Sequence, residues 1–268
     1  MKAYQRLLSY VKISTPSNEE SSSSPSSQCQ FDLARLLVEE LKGLGISDVS
    51  LDEHCYVYAH LPATEGLEHC KALGFIAHMD TVSDFCDHAV TPMITGDYDG
   101  KELPLGTSGR TLSPEMFPHL ASLAGRTLIT SDGTTILGAD DKAGIAEILT
   151  ALEHILTEKI PHGPLCVAFT PDEEIGEGAE LFDIPGFGAD FAYTVDGGDA
   201  GSIEYENFNA ASATVTIRGF SGAPGHRQGH HDQRFQCGHG VSSGAAHHRP
   251  PRNDRGPAGL LPPVPDVR

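Results

Sequence analysis

Four segments of this chain, "AHMD", "GADDKAG", "TPDEEIG" and "TVDGG", set acids or a histidine where a short apolar run stops. That recurrence limits the fold more than any other feature. The runs "CYVYAHL", "ALGFIAHMD", "LCVAFTPDEE" and "FAYTVDGG" read as strands, and between them lie stretches of helical period. Two amphipathic helices open the chain. The second, "FDLARLLVEELKGLG", places Leu33, Leu36, Leu37, Leu41 and Leu44 on one stripe and stops at a glycine. A further helix is predicted at "AGIAEILTALEHIL". Strands alternating with crossover helices predict the α/β class, with a central, mostly parallel sheet flanked by helices. In such a sheet functional groups gather where strands end. Residues 87–125, richer in Gly, Pro and Asp, read as a long surface excursion.

The residue types at those ends suit a metal centre. His78 and Asp80 are two apart, so on an extended strand they face the same way. One imidazole nitrogen can then ligate a metal while the carboxylate holds the other. Glu173 and Glu174 are adjacent, so in extended chain they point oppositely. One can bind metal while the other acts as general base on water. Asp140 and Asp196 supply further oxygens, although Asp140 and Asp141 could equally cap the helix beginning near Lys142. One or two histidines among carboxylates suit catalytic zinc with an open position, and two ions about 3.5–4 Å apart would share a bridging carboxylate.

Composition removes other classes. With 37 acidic against 18 Lys and Arg residues, the net charge is −19. That argues against nucleic acid and against an anionic membrane surface as partner. No apolar run reaches membrane-spanning length, and "MKAYQRLLSYVKI" lacks the apolar core of a signal peptide. The six cysteines show no paired spacing, so reduced thiols and a cytoplasmic location are expected.

The segments "GFIAHMDTV", "GADDKAG", "FTPDEEIG", "YTVDGG" and "EYENFNAA" resemble, in order and spacing, the signatures of the peptidase T family. This is the tripeptide aminopeptidase branch of the di-zinc exopeptidases that include carboxypeptidase G and aminoacylase. The resemblance runs from about residue 1 to 220. It implies His78, Asp140 and Asp196 as ligands of one zinc, with Asp140 as bridge and Glu174 as ligands of a second. It also implies Asp80 as the residue orienting His78, Glu173 as general base, and tripeptides as the small-peptide substrate. The family fold it implies is an α/β catalytic domain interrupted by a smaller α+β lid. On that reading residues 1–208 form the first part of the catalytic domain and 209–220 the first lid strand.

Beyond Phe220 the periodicity stops. Residues 221–268 hold eight glycines, seven prolines, six histidines and no lysine. The run "HRQGHHDQRFQCGHG" looks like a metal site, but its histidines follow no ligand spacing. A family-like Ser-Val-His-Pro-Gly-Thr-Ala-Lys-Gly, written in GC-rich codons and shifted by one inserted base, translates as the observed "SGAPGHRQG". The same frame turns Gly-Phe-Tyr-His-Leu-Tyr-Arg into "GLLPPVP", residues 259–265. Out-of-frame, disordered sequence is therefore the expectation for 221–268, with the chain truncated relative to the family and short of a histidine the second zinc takes downstream. Four activities share such a constellation: tripeptide aminopeptidase, dipeptidase, carboxypeptidase and N-acyl amino acid deacylase. A non-catalytic zinc-binding remnant is the reading from another class.

Overall fold

In the computed structural model, which describes residues 1–198 and 201–206, the sequence's alternation becomes a layered α/β unit spanning Met1–Ser202. In chain order the elements are α1 (Ala3–Tyr10), α2 (Gln30–Gly43), β1 (Asp48–Leu51), β2 (Val57–Leu61), β3 (Leu73–His78), β4 (Pro92–Thr95), β5 (Leu103–Leu105) and β6 (Arg110–Leu112). A 3-10 turn at Pro118–Leu123 precedes β7 (Leu128–Ser131), α3 (Ala139–Glu158) and β8 (Leu165–Thr170). A second 3-10 turn at Glu173–Ile175 is followed by α4 (Ile184–Phe187) and β9 (Phe191–Thr194). Residues 203–206, which fall in a separate unit, have no regular structure. The lid strand expected at 209–220 and the tail at 221–268 lie outside the described residues.

The main sheet has the order β1-β2-β8-β3-β9. It is mixed: β1, β2 and β8 run antiparallel in succession, whereas β8, β3 and β9 are mutually parallel. The parallel trio is what positions the site. His78 pairs with Thr170 and Ile76 with Thr194, so three strands that exit in the same direction release their chains side by side.

Side chains alternate between two packed faces, as the pleat requires. Val57, Ala59, Val167 and Phe169 face one cluster with Leu33, Leu37, Leu41, Ile145, Leu149 and Leu152 from α2 and α3. Tyr56, Tyr58, Cys166 and Ala168 face the other with Phe187. β8 is buried at every position, which explains why "LCVAFT" reads as a continuous apolar run. On α2 the buried face is Leu33, Ala34, Leu37, Val38 and Leu41. Leu36 is exposed, because at 100° per residue it falls outside the arc those five positions define.

The excursion at 87–125 is more ordered than its composition suggests. It carries β4, which pairs with β7, and the β5–β6 hairpin. At the far end of α3, Arg6 is buried and its Nε donates to Glu40 at 2.6 Å, while Nη2 lies 2.9 Å from Glu153. Among the described residues no helix is long and apolar enough to cross a membrane, and Cys29, Cys55, Cys70, Cys86 and Cys166 are free thiols.

The core assignment is checked by Leu149→Ala. Leu149 is fully buried between α3 and the sheet, so this truncation should cost about 2–5 kcal/mol of unfolding free energy, read as a lower urea midpoint. Leu36→Ala on the solvent face should cost under about 1 kcal/mol.

Candidate metal centre

The centre is built on a buried floor. His78 is the last residue of β3 and is 2% exposed; Asp80, two residues on, is 0% exposed. The imidazole Nδ1 lies 3.0 Å from the Asp80 carbonyl oxygen and 3.3 Å from its carboxylate. With Nδ1 taken up this way, Nε2 is the nitrogen left to face the acids. It lies 2.9 Å from Asp140, 3.7 Å from Glu173 and 3.7 Å from Asp196.

Each acid arrives from a different element. Asp196 follows β9, whose exit is fixed where the Val195 N–H donates to the Ile76 carbonyl at 2.8 Å. Asp140 opens α3, where its backbone and that of Asp141 depart from helical geometry. The two neighbours divide the roles that sequence left open. Asp141 is the buried cap, accepting from the Gly144 N–H at 3.1 Å and the His78 N–H at 3.3 Å. Asp140 is exposed and turns to His78 instead. Gly144 is required here, since a Cβ would collide with the Val195 carbonyl and the Asp141 carboxylate.

Glu173 and Glu174 depart from the extended arrangement expected for them. They begin a 3-10 turn that follows Asp172 in the left-handed region, φ +55°. Their two N–H groups donate to the Asp80 carboxylate at 3.0 and 3.1 Å. Both side chains therefore swing toward His78 rather than to opposite faces. Two groups result, His78 with Glu173 and Asp196, and His78 with Asp140 and Glu174; within each, the ligand atoms lie within 4.8 Å of one another. All six residues singled out from sequence thus meet at one place. Sequence reasoning offered Asp141 as a helix cap but missed Asp172 and Lys142, which is buried and donates to the Ile13 carbonyl at 2.8 Å. Only the burial reveals them, because each sits beside a louder motif residue.

Electrostatics mark the centre as short of positive charge. Burial opposes protonation of His78, but Asp80, Asp141 and Asp140 outweigh it and hold the imidazolium up to about 10. Burial, then the charge of Asp196, raises Asp141 to about 8. Burial likewise raises Glu173, Glu174 and Asp196, with the Asp140 charge adding to the last two. One imidazole and four solvent-reachable carboxylates form a nitrogen-and-oxygen donor set of the kind that suits zinc in an open coordination sphere.

A family model for peptidase family M20/M25/M40 matches residues 132–226, a span containing Asp140, Glu173, Glu174 and Asp196. Peptidase T of Halothermothrix orenii is 54% identical to this chain over 227 residues, covering 84% of this chain and 55% of that one. The chain belongs to the M20/M25/M40 peptidase family. Peptidase T of Desulfitobacterium hafniense is 55% identical over 223 residues, 82% of this chain and 54% of its own. The chain thus spans about half the length of the curated relatives it matches. A tripeptidase from Staphylococcus aureus aligns with a TM-score of 0.52 at 27% identity, over 74% of this chain and 43% of that chain. Aminopeptidase PepT from Bacillus cereus shares the fold at the same TM-score of 0.52 and 24% identity, over 73% and 43% of the two chains.

The raised acids give the metal-free chain a definite pH response. His78 folds with a pKa of about 10 against an ordinary ~6.5, and Asp141 with about 8 against ~3.9. Both hold protons more tightly when folded. Their contributions are therefore full below the unfolded values and fade as pH rises through the folded ones. Burial lowers Lys142 to about 8, which works the other way mainly above that pH. Between pH 6 and pH 8 the melting temperature of EDTA-treated protein should fall, and Asp141→Asn should flatten the slope. A melting temperature that climbs across this window would contradict the charge balance described.

Proposed function

We propose that this chain carries the metal-binding half of a zinc-dependent aminopeptidase that releases the N-terminal residue of tripeptides. The observation supporting it most directly is the gathering of Asp140, Glu173, Glu174 and Asp196 about the His78 imidazole, whose Nδ1 is held by Asp80. On this reading His78, Asp140 and Asp196 ligate one zinc, and Asp140 and Glu174 contribute to a second. The similarity to relatives called peptidase T supports tripeptides as the substrate class.

Bound zinc would supply Lewis acidity toward water and the scissile carbonyl. The chain's own residues do the rest. Asp80 takes up Nδ1 and so directs Nε2 at the ligand cluster, where it would give up its proton to a bound cation. Glu173, exposed and 3.7 Å from Nε2, would take a proton from attacking water and return it to the leaving amine. Burial and the Asp196 charge raise its proton affinity, moving it toward the range a general base needs.

Three readings compete within the family: dipeptidase, carboxypeptidase and N-acyl amino acid deacylase. A panel of tripeptides, dipeptides and N-acyl amino acids at saturating zinc separates them. In an intact version of the enzyme tripeptides should be cleaved from the amino end, and EDTA should abolish cleavage; a preference for either other class would replace the proposal. In the same intact version Glu173→Gln should lower turnover by about 10²–10⁴-fold with zinc content unchanged. Loss of zinc alongside activity would show that Glu173 is a ligand rather than the base. Asp140→Ala should lower zinc content at both positions, whereas His78→Ala should empty mainly one.

A further inference from the structure

The serine-rich stretch "STPSNEESSSSPSSQ", residues 14–28, plays no part in the function so far described. It is nevertheless tied to both strand exits that carry the site. At the β3 exit, Thr15 Oγ1 donates to the Met79 carbonyl at 2.8 Å. There also the Thr81 N–H donates to the Thr15 carbonyl at 3.0 Å, and the Ser17 N–H to the Thr81 carbonyl at 3.0 Å. At the β8 exit the attachment is Asp172. Its Oδ2 accepts from the Ser26 N–H at 2.7 Å, and its Oδ1 accepts from Ser26 Oγ at 2.5 Å and Gln30 Nε2 at 2.6 Å. The Asp172 N–H in turn donates to Gln30 Oε1 at 3.3 Å.

Asp172 is 1% exposed, and Ser26 and Gln30 are buried with it. It forms no ion pair among the described residues, so its burial is offset by these donors alone. It also stands in the left-handed backbone region, which Asp tolerates but does not prefer. Two costly choices meet at the residue immediately before Glu173 and Glu174. The turn bearing those glutamates is then gripped from both sides, by Asp172 behind and by Asp80, which accepts both of their N–H groups, in front.

We propose that Asp172, clasped by Ser26 and Gln30, is a positioning residue that aims Glu173 and Glu174 at the metal cluster. The strap from Thr15 to Gln30 then sets the spacing between the His78 and glutamate arms of the site. The proposal rests on the metal-centre reading for its consequence but not for its geometry, and the two are tested separately. Asp172→Asn isolates the hydrogen bonds, because Asn also tolerates the left-handed region while its amide group presents a donor to donors. Ser26→Ala removes one clasp, and Ser26→Thr restores the hydroxyl.

The experiment uses the full 268-residue chain, freed of metal. Amide exchange at Glu173, Glu174 and Glu177 should quicken at least tenfold in Asp172→Asn and Ser26→Ala, with β8 unchanged and Ser26→Thr close to the parent. Cobalt(II) added to the same proteins should bind about 10–100-fold more weakly in those two variants, with an altered visible spectrum. Leu37→Ala, destabilised in the core, should keep the parent's cobalt affinity. Unchanged exchange at the glutamate turn would overturn the proposal. So would cobalt affinity that simply follows melting temperature through Leu37→Ala as well. A parent chain that binds no cobalt(II) would instead sink the metal-centre reading, while the exchange data still decide whether Asp172 positions the turn.

Discussion

The Asp80 carboxylate is the interaction on which the rest of the centre depends. It is fully buried, yet it carries three obligations: the imidazole of His78 and the amides of Glu173 and Glu174. A buried carboxylate is expensive unless donors surround it, and here those donors come from two different strand exits. The charge that orients the histidine is therefore the same charge that locks β3's exit to β8's. A substitution at position 80 would disturb the ring, the turn and the spacing between them together.

Around that anchor the charges are deliberately out of balance. Among the described residues the cluster gathers several carboxylates about one imidazole, and burial makes each of its raised acids reluctant to ionise. Such a cluster is unfavourable by itself and becomes favourable when a cation enters, because the repulsion turns into ligation. Metal affinity and folded-state strain are in this sense two descriptions of one arrangement. The mixed sheet contributes the geometry, since only its parallel trio delivers three chain exits to one edge.

Much of this was legible in the chain, for reasons that can be named. Strand-end acids announce themselves, because an apolar run that stops at His78, Glu173 or Asp196 has few structural reasons to do so. The buried run of β8 and the helical periods of α2 and α3 follow from burial on two faces and on one. What stayed hidden depended on contacts across long sequence separations. The antiparallel start of the sheet turns on β2 choosing β8 as neighbour, which no local pattern encodes. Asp141 and Asp172 look like spare members of acidic runs until the Gly144, Ser26 and Gln30 donors are seen around them. The left-handed turn at Asp172 likewise overrides the simple rule that adjacent side chains diverge.

The position of β9 gives the centre an uneven mechanical character. Among the described residues β3 and β8 are each flanked on both sides, whereas β9 pairs only with β3 and leaves Phe191 and Tyr193 exposed. A strand with a single ladder opens at lower free energy than one held between two. Asp196 hangs from that strand, steadied by the Val195 bond to Ile76 and by the close seat of Val195 against Gly144. His78 and the two glutamates, by contrast, are tethered to interior strands. The arms of the cluster therefore differ in how they are tethered: His78 and the two glutamates leave strands that have two neighbours among the described residues, and Asp196 leaves one held by a single ladder.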